Sequence, residues 1–116
     1  MKNKKLGAWG EQFAAEYLKA QGMQILMQNY RTPYGELDLI AREGDCLVLA
    51  EVKTRSSRAY GSPLEAVTPV KQQHLRLAAA QYLQEHPFPG EIRFDVIAIL
   101  TEPGRRAEVE HIQGAF

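Results

Sequence analysis

The stretch spanning residues 36–54 constrains the fold more than any other. Glu36-Leu37-Asp38-Leu39-Ile40-Ala41 and Cys46-Leu47-Val48-Leu49-Ala50-Glu51-Val52-Lys53-Thr54 are apolar-rich runs separated by Arg42-Glu43-Gly44-Asp45. The turn residues between them make the segment read as two strands of a β-hairpin. Side chains alternate across a strand, so Leu49, Glu51 and Lys53 share one face and Val48, Ala50 and Val52 the other. With the loop symmetric about Glu43-Gly44, Asp38 stands opposite Leu49 and Glu36 opposite Glu51. Asp38 is then a diagonal neighbour of Glu51 on the same face, at roughly 7–8 Å between backbones and within reach of one shared ion. A slip of one residue would turn Asp38 to the other side of the sheet.

The flanking sequence supplies the layers around this hairpin. Leu6, Trp9, Phe13 and Tyr17 recur at three- and four-residue intervals, which predicts one face of a helix over residues 6–20, stopped by Gly22. Gly7, Gly10 and Ala14 run along its flank beside Glu11. A glycine inside a helix costs about 1 kcal/mol relative to alanine, so two of them point to a close approach to a sheet. Residues 23–30 read as a strand ending at the turn residues Pro33 and Gly35, and residues 55–69 as a loop with a short turn at 64–67. Thr68-Pro69, an N-cap hydroxyl followed by proline, opens a second helix running through Leu75, Ala78, Ala79 and Tyr82 to Pro87. Residues 91–100 alternate as a strand, and 108–112 read as a short edge strand. The order αβββαββ predicts an α/β sandwich, a mixed central sheet with helices packed against it.

Length and composition narrow the setting. At 116 residues the chain is expected to form one domain, with its ends, residues 1–5 and 113–116, flexible. Apolar residues at 45% and charged residues at 24% are proportions of a folded globular protein. The single cysteine, Cys46, lies in an apolar run, which rules out an intrachain disulfide and a cysteine-based zinc site. The basic start is followed by Glu11, Gln12 and Glu16 rather than an apolar stretch, and no run approaches the roughly 20 apolar residues of a membrane helix. No membrane association and a cytoplasmic location are expected. Lysine plus arginine equals aspartate plus glutamate at 14 each, so bulk charge does not mark a nucleic-acid binder. Lys53, Arg55, Arg58, Lys71 and Arg76 against Glu51 and Glu65 nevertheless form a locally basic segment.

Two carboxylates and an ammonium at the end of an apolar strand are costly to desolvate unless they are paired or bind a metal. Hard carboxylate oxygens suit Mg²⁺ or Mn²⁺, which are typically held by one or two carboxylates together with substrate phosphate oxygens. Phosphodiester hydrolysis requires a Lewis acid, an activated water and a cation to offset the charge that develops on phosphorus. Asp38 and Glu51 are the expected metal ligands, and Lys53 is expected to orient the water or to stabilise the pentacovalent phosphorus. Glu11 is either a helix-surface carboxylate or a group that positions metal or water. Arg55, Arg58, Lys71, Gln72 and Arg76 are expected either as phosphate contacts or as a solvated charged surface, and Tyr60 as a base-stacking or interface residue. Asp95, on one strand face with Arg93, is expected in an ion pair or a subunit contact rather than in catalysis, and His74, His86 and His111 lack metal-ligand spacing.

Gly35-Glu36-Leu37-Asp38-Leu39-Ile40 followed by Glu51-Val52-Lys53 resembles the bipartite core of the PD-(D/E)xK nuclease superfamily, with Leu37 where that core carries proline. Gly10-Glu11 is similar to the leading glutamate of its Holliday-junction-resolvase branch. More closely, these motifs together with Gly7, Arg55, Tyr60-Gly61-x-Pro63 and Arg93-Phe94-Asp95-Val96 resemble the YraN-like family of uncharacterised bacterial proteins, over about residues 6–100. The resemblance implies a restriction-endonuclease-like fold, the Val52 carbonyl as a further metal ligand, branched or structured DNA as substrate, and a homodimer that cuts two strands.

Overall fold

The computed structural model describes residues 4–57 and 61–116. Helix α1 (Lys4–Ala20) is followed by strands β1 (Gln24–Thr32), β2 (Gly35–Glu43) and β3 (Cys46–Arg55). A 3-10 turn (Pro63–Ala66), helix α2 (Pro69–Glu85) and strands β4 (Glu91–Leu100) and β5 (Glu108–Ile112) complete the order, which is the expected αβββαββ. The strands form one sheet in the order β1-β2-β3-β4-β5, antiparallel except for β3 beside β4. Parallel neighbours need a long crossover, and here α2 provides it. Thr68 starts that helix as expected, its hydroxyl accepting the Lys71 N–H at 3.2 Å. Gly22, at φ +93°, ends α1.

Each face of the sheet is covered by one helix. Leu47, Leu49, Phe94 and Val96 pack with Leu75, Ala78 and Tyr82 of α2, whereas Val48, Ala50, Ile97 and Ile99 pack with Ala14, Ala15 and Leu18 of α1. Burial on both faces explains why β3 reads as a continuous apolar run. Among the described residues no helix is long and apolar enough to cross a membrane. The last residues, expected to be loose, fold back: the Ala115 N–H donates to the Phe94 carbonyl at 2.7 Å, and Phe116 stacks on Phe94.

The buried face of α1 differs from the aromatic stripe expected. Trp9 is 41% exposed and Phe13 and Tyr17 are half-buried, while Gly10, Ala14, Ala15 and Leu18 are buried. Small residues let the helix axis come close to the sheet, so the aromatics are left at the rim. Gly10 marks the point of closest approach, where a methyl group would overlap the Thr54 hydroxyl; beside Gly7 no described atom comes within 4 Å of one. Gly10→Ala is therefore expected to destabilise by about 1–2 kcal/mol through overpacking, while Gly7→Ala stabilises by about 0.5–1 kcal/mol. Urea unfolding of the two variants should show midpoints displaced in opposite directions.

The hairpin turn is also tighter than expected. Glu43 pairs with Cys46 across Gly44-Asp45, with Gly44 at φ +59°, so Leu39 stands opposite Ala50. The expected pairing of Asp38 with Leu49 and of Glu36 with Glu51 is thus displaced by two residues. An even displacement leaves the side chains of the paired residues on their own faces, and the pairing ends at Leu39 and Ala50, one residue short of Asp38 and Glu51.

Candidate metal centre

Glu51 and Lys53 point the same way from β3, with Lys53 Nζ 3.3 Å from Glu51 Oε2. Glu51 is only 5% exposed, and a second ammonium, Lys71 from the first turn of α2, reaches the same oxygen at 2.8 Å. Asp38, 9% exposed, accepts the Val52 N–H at 2.9 Å through Oδ2. That amide is available because the β2–β3 pairing stops at Leu39 and Ala50. Asp38, Glu51 and Lys71 line one cavity of about 220 Å³ with Glu36, His74 and Tyr34. Asp38, Glu51 and Lys53, expected together from the sequence, are thus gathered at one end of the sheet.

The acids are held at unequal cost. Burial first, and repulsion from Glu51 second, push the Asp38 carboxyl from its ordinary 3.8 up to about 8 against the opposing pull of the Val52 N–H. Glu11 is raised by burial as well; a side-chain hydrogen bond from Asn29 works against the rise, and Glu36 and Glu51 add to it. Glu11 therefore lies within the field of the same acids. Burial would lower the Lys71 pKa, but its bond to Glu51 and the charges of Glu51 and Asp38 raise it overall.

These observations decide how a divalent cation fits. The donors are hard oxygens, and the Asp38 pKa is raised first by burial and then by the neighbouring charge of Glu51, both of which a bound cation would offset. Mg²⁺ or Mn²⁺ is chemically suited to replace that proton. The site is not a closed cage: among the described residues no three His, Cys, Asp or Glu side chains are gathered closely enough to hold a metal ion by themselves. Asp38 and Glu51 would hold the ion, and Lys71 would have to yield part of its hold on Glu51. Of Val52, expected to contribute its carbonyl, the observed polar contact is the N–H bond to Asp38.

The surrounding candidates separate. Lys71, expected on a phosphate, is inside the acidic cavity, and Gln72 is engaged with the Val67 carbonyl at 3.1 Å. Arg55 reaches the Gly61 carbonyl at 3.4 Å, and Arg76 lies over the Phe94 and Phe116 rings. Arg58 and Tyr60 lie outside the described residues. Asp95 forms the expected pair with Arg93 and also meets His111 at 2.7 Å. Sequence reasoning missed His74 and Tyr34 at the cavity, and Asn29 beside Glu11; none of the three carries a periodic or motif signal.

A family model described as "Uncharacterised protein family UPF0102" matches residues 10–99. The chain belongs to this family. A UPF0102 protein of Syntrophomonas wolfei is 51% identical over 116 residues, covering 98% of this chain and 99% of the relative. One from Rhodococcus opacus is 50% identical over 115 residues, covering 98% of each. The match bears out the uncharacterised family read from the motifs. Its span, from Gly10 to Ile99, takes in Glu11, Asp38, Glu51, Lys53 and Lys71, so the whole acidic site of this UPF0102 chain falls inside the matched region.

Proposed function

We propose that this protein is a divalent-metal-dependent nuclease of the PD-(D/E)xK type that hydrolyses phosphodiesters in structured DNA. The observation that carries the reading is the sharing of one cavity by two nearly buried carboxylates, Asp38 and Glu51, on adjacent strands, with two lysines beside them. Asp38 and Glu51 would hold Mg²⁺ or Mn²⁺, which would supply Lewis acidity for the hydrolysis. Lys53 and Lys71 bring positive charge to the place where a pentacovalent phosphorus gathers negative charge. Glu11, with its raised pKa, orients the attacking water and takes up its proton. Because these groups act on phosphate and sugar rather than on base edges, the chemistry selects nucleic-acid geometry over sequence. Two copies acting as a homodimer would place two such sites on two strands.

A second reading, a nucleic-acid-binding adaptor that cuts nothing, is favoured by the Lys71–Glu51 contact of 2.8 Å, which already neutralises part of the acidic pair. The two readings part on a cleavage panel of duplex, flap, fork and four-way-junction DNA with Mg²⁺ or Mn²⁺. Wild type should cut at least one branched substrate, with Asp38→Ala and Lys53→Ala slower by about 100-fold or more. Equal cutting by all three proteins rejects the mechanism, and tight metal-independent binding without cutting promotes the adaptor.

A further inference from the structure

Asn29 is exposed and belongs to neither core cluster, yet it is the one non-glycine among the described residues with positive φ, +55°. Left-handed backbone is unfavourable for an L-residue, and asparagine is among the few that tolerate it. Strain at an exposed position that packs nothing calls for another reason.

The pairing of β1 with β2 supplies one. Gln28 pairs with Leu39 and Tyr30 with Leu37, and the rung between them, Asn29 against Asp38, is skipped. Ile40 and Leu37 both pack on the α2 side, as do Met27 and Tyr30, although each pair is three residues apart. Regular alternation would put such residues on opposite faces. Both strands therefore break the pleat at the same rung. Asp38, freed from alternation, turns its carboxylate toward the Val52 N–H of the neighbouring strand. Asn29 also bears on Glu11, whose pKa its side chain lowers against the effect of burial, so one residue acts on two of the site's acids.

We propose that Asn29 is a positioning residue of the acidic site: its left-handed backbone breaks the pleat opposite Asp38 and turns that carboxylate toward Val52 and Glu51, while its amide stands beside Glu11. The inference rests on the metal-site reading only where it concerns metal affinity; the placement of Asp38 stands apart from it. A pleat break can also serve simply to blunt an edge strand such as β1, and in that case the acids would not feel its loss.

Asn29→Gly keeps the left-handed backbone and removes the amide, whereas Asn29→Val favours extended backbone and removes both; Asn29→Ala is the milder substitute should the valine variant fail to fold. In metal-free protein, Asp38→Asn should displace the Val52 amide resonance in the wild-type and Asn29→Gly backgrounds. In the Asn29→Val or Asn29→Ala background the same change should displace it by less than about a quarter as much. Mn²⁺ affinity by calorimetry should fall about tenfold in Asn29→Val and a few-fold in Asn29→Gly. Equal displacement of Val52 in all backgrounds overturns the proposal. A wild type that binds no Mn²⁺ overturns the metal reading and leaves the Val52 comparison to decide the role of Asn29.

Discussion

Asp38→Asn is expected to make the metal-free protein more stable at pH 8 while abolishing its metal binding. The folded state raises the Asp38 pKa to about 8, through burial and then through Glu51, whereas the unfolded chain releases that proton near pH 4. Below about pH 4 both states hold the proton and the folded state is not penalised. Between about pH 4 and pH 8 the unfolded state has released it while the folded state retains it, so stability drains away as pH rises through this window. At 1.36 kcal/mol per pKa unit the whole shift would amount to roughly 5 kcal/mol; relaxation around the site brings the expected gain at pH 8 to about 2–4 kcal/mol. Asparagine can still accept the Val52 N–H, so the substitution removes the charge and keeps the bond. Urea midpoints at pH 4, 6 and 8 should show an advantage for the variant that grows with pH. Added Mg²⁺ should stabilise wild type only, because a cation relieves the same repulsion. A variant less stable than wild type at pH 8 would show that Asp38 is a structural carboxylate already compensated by its neighbours. The gain and the loss together express the usual conflict between stability and a charged functional site.

Asp95→Ala is expected to have the largest effect in the opposite direction, a loss of about 3–5 kcal/mol, because it leaves buried partners without their counter-charge. Asp95 is fully buried. Arg93 donates to it from Nε at 2.8 Å and from Nη2 at 3.0 Å, His111 Nε2 lies 2.7 Å away, and the Gly114 N–H donates at 3.1 Å. Arg93 also reaches Glu43 at 3.1 Å, and the Tyr17 hydroxyl stands 3.4 Å from His111 Nδ1. One carboxylate therefore ties β4 to β5, to the chain beyond β5, to the end of β2 and, through His111, to α1. Asp95→Asn, which retains an acceptor oxygen, should lose about half as much. Denaturant unfolding at pH 7 measures both, and a loss under 1 kcal/mol for the alanine variant would show the cluster to be energetically idle. Asp95 pairs with Ala50 on the α1 side of the sheet, one residue from Glu51 but on the other face. Cleavage per folded molecule should accordingly survive the change.

Much of this architecture is legible in the residue pattern. Thr68-Pro69 opens α2, Gly22 closes α1, and the alternation of β3 puts Glu51 and Lys53 on one face, all as local backbone chemistry requires. The hairpin is legible too, but its register is not. The choice between a two-residue turn at Gly44-Asp45 and a longer loop lies in turn geometry, and the two-residue error did no harm only because it was even. The buried side of α1 differs from the periodic one because periodicity favours the aromatics, while close packing on the sheet favours Gly10 and Ala14.

By itself the order of residues determined the elements, the faces of β3 and the pairing of an acid with a lysine, since each depends on contacts between near neighbours in the chain. Tertiary structure alone decided that Lys71 arrives from α2 to share Glu51, that Glu11 approaches from α1, and that Asp38 leaves the pleat opposite Asn29 to meet Val52. Those depend on how closely separate elements pack and on where a ladder breaks, and neither leaves a period in the sequence.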